Sequence, residues 1–307
     1  MSTNAMQHSL DTHEIPVVFD CQGERLLGMI HPVDAASTGV LIIVGGPQYR
    51  VGSHRQFLLL ARHLAEQGIP AMRFDARGMG DSEGQPRRFD GLDQDIRAAI
   101  DCFFASCPNL RRIVLWGLCD GASAATFYAY QDGRVKGMVL LNPWVFTEQG
   151  AAKTYLKHYY WQRLTSKDFW SKVFSLKFNY SDSMASLLNL LKQATGRNDN
   201  AMTADMPATV DENLSLPIRM RECLKRFEYP VLLILSGRDL TAEEFKETVK
   251  NDPEWQSWLA EPRITRHDFP AADHSFSSSV WRDQVAEWTS AWTKSRVKPT
   301  LPQPPAD

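Results

Sequence analysis

The chain predicts an α/β protein, with a mostly parallel sheet and helices on both of its faces. Short apolar runs alternate along the sequence with longer amphipathic segments, which is the rhythm of repeated strand-helix units. Several runs are apolar at every position, as strands covered on both faces are. Several also end in Gly- or Pro-containing loops, as at Gly45-Gly46-Pro47 and Gly237-Arg238-Asp239.

In chain order, residues 15–19 and 26–31 read as an antiparallel opening hairpin. Residues 39–44 form a buried strand that meets the Gly45-Gly46-Pro47 loop. Ser53 suits the N-cap of a helix reaching Gln67, with Phe57, Leu60, Ala61 and Leu64 on one face and Gly68 as the stop. Residues 69–74 are the next strand, leading into Asp75-Ala76-Arg77-Gly78. Residues 93–104 are amphipathic through Ile96, Ala99, Ile100 and Phe103. A strand at 113–116, a helix to about Tyr130 and a strand at 135–141 follow.

The rhythm breaks at Asn142-Pro143. Residues 144–227 are rich in aromatics, among them Trp144, Phe146, Tyr155, Trp161, Phe169 and Trp170. Helical periodicity returns at 184–191 and 218–227, while 195–211 is polar and reads as a mobile loop. A connection this long needs structure or function of its own. It reads as a helical cap over the carboxyl edge of the sheet; a solvated surface insertion is the alternative. The alternation then resumes with a strand at 231–236, a helix from about Ala242, a strand at 264–269, a loop through 270–274 and a helix at 281–292. Residues 1–143 and 228–297 are thus the expected core and 144–227 the cap. The proline-bearing residues 298–307 are expected to be disordered.

Composition narrows the function. The chain has 307 residues, enough for one large α/β core, and a net charge of -2. No basic surplus points to nucleic acid. No apolar run has the length of a membrane span. The five cysteines are scattered and odd in number, which fits neither a disulfide framework nor a metal site and suits a reducing cytoplasm. No metal or cofactor is expected, and the expected partner is a small-molecule acyl substrate. The oligomeric state is not legible.

The most informative stretch is Gly117-Leu118-Cys119-Asp120-Gly121, between an apolar strand and a run of small residues. A strand that turns sharply into a helix with a nucleophile at the tip leaves its flanking positions no room for side chains. Cysteine stands here where serine is usual. A thiol nucleophile needs a base, and the base needs an orienting group. Asp239 and His274 follow Cys119 in that order, each just after a predicted strand, where open α/β sheets collect their sites. Asp75 and Asp268 are the other carboxylates considered. Asp239 also suits a plain helix cap, and His274 a plain loop position.

An oxyanion needs two donors. One is the Asp120 backbone N–H at the helix start. The other belongs to the loop Gly45-Gly46-Pro47-Gln48-Tyr49-Arg50, and since Pro47 has no N–H, the Gln48 amide is the candidate. Gly46, Pro47, His54 and Trp144 are candidate substrate contacts; Arg50, His54 and Arg55 are candidates for positive charge at this mouth, with plain surface solvation the equal alternative. The helix N-terminus and a cationic His274 favour the thiolate of Cys119, while the Asp120 carboxylate opposes it. Thiolates suit activated acyl groups, so both hydrolysis and acyl transfer fit; a non-catalytic binding protein is the reading from outside enzymology.

The segments Gly45 to Phe57, Arg73 to Gly84 and Leu115 to Asp120 resemble the exosortase A system-associated hydrolase type 1 family of the α/β-hydrolase superfamily. The resemblance covers about residues 15–141 and again 231 to the closing helix. It implies an α/β-hydrolase fold, a link to the exopolysaccharide and exosortase envelope system, and Cys119, Asp239 and His274 as a triad.

Overall fold

The computed structural model describes residues 14–46, 48–145, 210 and 214–297. The expected cap therefore lies mostly outside the described residues, as does the tail.

Eight strands form one sheet: β1 (Ile15–Cys21), β2 (Glu24–His31), β3 (Thr38–Ile43), β4 (Ala71–Phe74), β5 (Arg112–Leu118), β6 (Val135–Leu141), β7 (Val231–Arg238) and β8 (Ile264–Asp273). Their order is β1-β2-β4-β3-β5-β6-β7-β8. The opening hairpin is antiparallel, β2 also runs antiparallel to β4, and every later pairing is parallel. The helices are α1 (Gln56–Glu66), α2 (Asp93–Ser106), α3 (Asp120–Ala129), α4 (Leu216–Arg226), α5 (Leu240–Lys250), α6 (Pro253–Leu259) and α7 (Ser279–Arg296).

Strand alternation divides the core in two. In β5, Ile113 and Leu115 join one apolar layer, with Ile96, Ile100 and Phe103 of α2 and Met220 and Leu224 of α4. Val114 and Trp116 join the other, with Phe57, Leu60 and Leu64 of α1 and Val285 and Trp292 of α7. Burying each such side chain contributes about 1.5–3 kcal/mol. Both layers are needed because the central strands have no solvent face.

Two local expectations give way to the structure, and one helix goes unforeseen. Ser53 does not cap α1. Its N–H is taken by Gln48 Oε1 at 3.2 Å, and Ser53–Arg55 form one 3-10 turn in which His54 and Arg55 have φ of 51° and 62°. Residues 270–273 continue β8 instead of forming a loop. A bulge at Ser236/Arg238 accommodates them, and Gly237 leaves the space, since a Cβ there would lie 2.4 Å from the Pro270 oxygen. Pro270 is tolerated because β8 is an edge strand. Helix α6 is not visible as a pattern. It is set by the Asp252 side chain, which accepts from Glu254 and Trp255 N–H, and anchored by buried Trp255 and Trp258.

Candidate active site

The carboxyl ends of β5, β7 and β8 bring three chemically matched side chains together. Cys119 sits between β5 and α3 with φ 59° and ψ -123°, a conformation a non-glycine residue holds only where its surroundings enforce it. Glycines on both sides do so. A Cβ on Gly117 would lie 2.4 Å from the Gly121 backbone, and one on Gly121 would lie 2.6 Å from the Ile43 oxygen. The elbow is thus wedged against β3, with Cys119 at the tip and half-buried.

His274 follows β8. Its Nδ1 lies 2.9 Å from Asp239 Oδ2, and its ring also bonds the Cys119 sulfur. The Asp239 contact is close but off the linear donor direction, and no other group among the described residues meets Nδ1. Asp239 is nearly buried and does two jobs. Its oxygens accept from Thr241 and Ala242 N–H, both at 3.1 Å, capping α5, and Oδ2 also faces His274. The cap fixes the carboxylate against the ring. The bond to Asp239 and then that to Cys119 push the His274 ring up to about 10, so it carries its proton at neutral pH. The other two carboxylates lie elsewhere: Asp75 is paired with Arg50, and Asp268 with Arg266.

A cavity of about 690 Å³ opens onto Cys119, Asp120 and His274. That size suits a small organic ligand. Phe57, Met79, Phe89, Leu92 and Trp144 give it apolar walls, and Gly46 and Gln48 also line it. Trp144 is tied to the elbow: its N–H donates to the Cys119 oxygen at 3.3 Å, and its own oxygen accepts from Ser123 Oγ at 2.8 Å. His54 is exposed and not part of the lining, because its left-handed turn carries it outward. Pro47 lies outside the described residues.

The loop after β3 refines the oxyanion expectation. The Gln48 N–H is unused within its own loop among the described residues, while the Gln48 side chain holds Ser53 and Gln56. The Gly46 N–H points at the elbow and donates to Asp120 Oδ2 at 2.7 Å. Burial pushes the Asp120 carboxyl up, against the bonds from backbone N–H groups and the nearby His274 charge.

Sequence reasoning missed three participants. Arg87 and Arg88 line the cavity and add positive charge to that of His274, whereas Arg50 is spent on Asp75 and Asp81. Asn142 is buried and donates to the His274 oxygen at 3.0 Å while accepting from Ser236 N–H at 2.9 Å. Its signal was the Asn-Pro break after β6, read only as the end of the strand rhythm.

Residues 36–250, more than half of the chain, match the family model described as serine aminopeptidase, S33. The chain belongs to that family. Within this α/β-hydrolase family it carries Cys119 at the elbow. It is 30% identical over 125 residues to a polyketide transferase, grgF, of a Penicillium species, covering 39% of this chain and 42% of that protein. The chain thus matches less than half the length of that curated relative. Among solved structures it is similar to the Pyrococcus furiosus esterase Pf2001, with TM-score 0.61 and 16% identity over 94% of this chain and 92% of that one. It is also similar to the α/β-hydrolase GrgF from Penicillium sp. sh18, with TM-score 0.58 and 16% identity over 93% and 100%. At these identities the structural likeness speaks for the fold. Among the described residues no helix is long and apolar enough to cross a membrane.

Proposed function

We propose that the protein is a cysteine-dependent acyl hydrolase, thioesterase- or esterase-like. Cys119 is the nucleophile, His274 the proton carrier and Asp239 its orienting partner. The observation that carries this reading is the meeting of these three side chains from three sheet connections: Cys119 and His274 open onto one largely apolar cavity, and Asp239 stands against the His274 ring.

The reacting form has the proton on His274 and the electron pair free on Cys119 Sγ. The sulfur attacks the acyl carbonyl, and the carbonyl electron pair moves onto oxygen, where the backbone N–H groups of Asp120 and Gly46 or Gln48 stabilise it. Collapse breaks the bond to the leaving group, which takes the proton from His274. The Cys119 charge is then gone, and with it one cause of the raised His274 affinity for a proton. The neutral ring is now fit to take a proton from water as that water attacks the thioester. Collapse returns the carboxylic product and the resting pair.

Acyl transfer is the second reading, in which an alcohol or amine acceptor replaces water. The partial likeness to a protein named a polyketide transferase favours it. Of residues 144–227, those ahead of α4 are proposed as a cap over the cavity, since α4 itself packs into the core. Cytoplasmic placement and an exosortase-system link are proposed from the cysteine pattern and the motif likeness.

The test is turnover of a panel of acyl thioesters and p-nitrophenyl esters, with and without alcohol acceptors, by the protein and by Cys119→Ala. The reading expects turnover that Cys119→Ala abolishes. Binding of acyl compounds without turnover would turn it over to a binding function.

A further inference from the structure

The Asp120 side chain folds back onto its own elbow. Oδ2 accepts from the Gly46 N–H at 2.7 Å and Oδ1 from the Gly121 N–H at 3.1 Å, and the carboxylate also bonds the Asp120 N–H. These amides converge from two elements, the loop after β3 and the first turn of α3. The loop is shaped to this arrangement. A Cβ on Gly45 would lie 2.1 Å from Asp120 Oδ1 and 2.4 Å from the Gly121 nitrogen, so only glycine leaves the carboxylate its place.

The Asp120 and Gly46 amides are donors that an acyl oxyanion would need, and here both are already spent on a negative oxygen. A carboxylate has the charge and the oxygen geometry of the species that forms in the reaction. Resting on the reading of Cys119 as an acyl-accepting nucleophile, we propose that the Asp120 carboxylate is the resident occupant of the oxyanion pocket. The incoming carbonyl oxygen must displace it before the sulfur can attack productively. Asp120 is then a lock on the site, and a determinant of which acyl groups react.

Among the described residues, the His274 charge acts on the carboxylate, and Cys119, Arg87 and Arg88 line the same cavity; Gly46 and Gly121 bring only amides. A neutral, electron-poor carbonyl whose oxygen gains charge during attack can take over the two amides as that charge develops. A substrate with a permanent negative charge beside its reacting carbon meets the Asp120 charge throughout.

Alkylation of Cys119 reads this without any knowledge of the natural substrate. Iodoacetate and iodoacetamide place the same carbon on the sulfur and expel the same iodide, but only iodoacetate brings a carboxylate towards the amides. Second-order rates for both reagents near pH 7 are measured on the full chain, as wild type, Asp120→Asn and Asp120→Ala, by intact mass and peptide mapping. Asparagine removes the charge but still offers an oxygen to Gly46, whereas alanine removes both. The iodoacetate-to-iodoacetamide ratio is expected to rise severalfold in Asp120→Asn and at least tenfold further in Asp120→Ala. Asp120→Ser, whose side chain is too short to span to Gly46, replaces the alanine variant if that one fails to fold. Equal ratios in the asparagine and alanine variants would mean that Asp120 acts through charge alone, and the occupant is refuted. A ratio unchanged from wild type refutes it as well. In both cases preferential iodoacetamide labelling of Cys119 would leave the nucleophile reading standing. A Cys119 that resists both reagents in every variant removes the nucleophile, and the lock with it.

Discussion

Asn142 holds His274 by its backbone: Asn142 Nδ2 donates to the His274 oxygen at 3.0 Å across the ends of β6 and β8. The same carboxamide accepts from Ser236 N–H at the end of β7, and the Asn142 N–H reaches the Ile234 oxygen at 3.1 Å. One buried residue therefore ties the histidine loop to the strand that carries Asp239. Its φ of 43° is a left-handed conformation that asparagine adopts more readily than most residues.

Two variants separate the bonds from the backbone strain. Asn142→Gly keeps the backbone conformation and loses both side-chain bonds, while Asn142→Ala loses the bonds and adds strain. Leaving the Ser236 N–H unmet costs about 1–3 kcal/mol in either variant. Alanine adds about 1 kcal/mol or more. Both should lose roughly 10- to 100-fold in kcat/KM, because a ring displaced by about 1 Å no longer lines up with the sulfur. Denaturant unfolding and ester turnover read the two effects. Wild-type turnover in Asn142→Gly would show that the tie does not position His274.

Asp239 and His274 make stability depend on pH in a defined direction. The folded state holds the His274 proton up to about 10, against about 6.5 in the unfolded chain. A group raised on folding stabilises fully below its unfolded value, and that stabilisation is lost as the pH climbs through the folded one. Asp239 is the first cause of the shift. Asp239→Asn keeps an N-cap side chain for α5 but loses the charge. The Tm deficit of Asp239→Asn should be largest near pH 6 and shrink steadily from about pH 7 to 10, followed by thermal unfolding in matched buffers. A deficit constant with pH would mean that the cap, and not the ion pair, is what Asp239 contributes to stability.

The five cysteines should differ sharply in reactivity. Cys21, Cys107 and Cys223 are buried, and burial pushes their thiols up, Cys223 to about 12. Cys102 is half-buried and also pushed up by burial. Cys119 opens onto the cavity beside a cationic ring. Limiting iodoacetamide near neutral pH should label Cys119 first, and His274→Ala should slow that labelling, as peptide mass mapping reads. Equal labelling of several cysteines would uncouple Cys119 from His274.

The sheet was legible because buried parallel strands leave unbroken apolar runs, as at Val40 to Ile43 and Val231 to Leu235. The elbow was legible for a similar reason. A Cβ at Gly117 or Gly121 would lie 2.4–2.6 Å from neighbouring backbone, and such close approaches leave glycine as their trace in the sequence. What stayed hidden depends on contacts between distant segments. Nothing adjacent to Asn142 announces a bond to His274, 132 positions later. Arg87 and Arg88 sit in a loop whose path over the cavity no local pattern encodes. The Asp120 carboxylate was visible as a nearby charge, but its bond to Gly46 appears only once β3 and β5 lie side by side.

The cavity wall sets an expectation about acyl chains. Met79, Phe89 and Leu92 line the cavity alongside Cys119, and each added CH₂ that leaves water for such a wall contributes about 0.8 kcal/mol, roughly fourfold in kcat/KM. For p-nitrophenyl esters, kcat/KM should therefore rise from the acetyl ester through the butanoyl and hexanoyl esters until the wall is reached. Met79 is only partly buried, so it can be enlarged with little cost to the core. Met79→Trp should shift the best chain to a shorter one while leaving acetyl turnover within about twofold, since the extra ring fills the wall and not the elbow. Steady-state kinetics over the ester series, for the protein and Met79→Trp, decide the matter. A rate independent of chain length would mean that the acyl group does not lie along this wall, and that the apolar surface serves the leaving group instead.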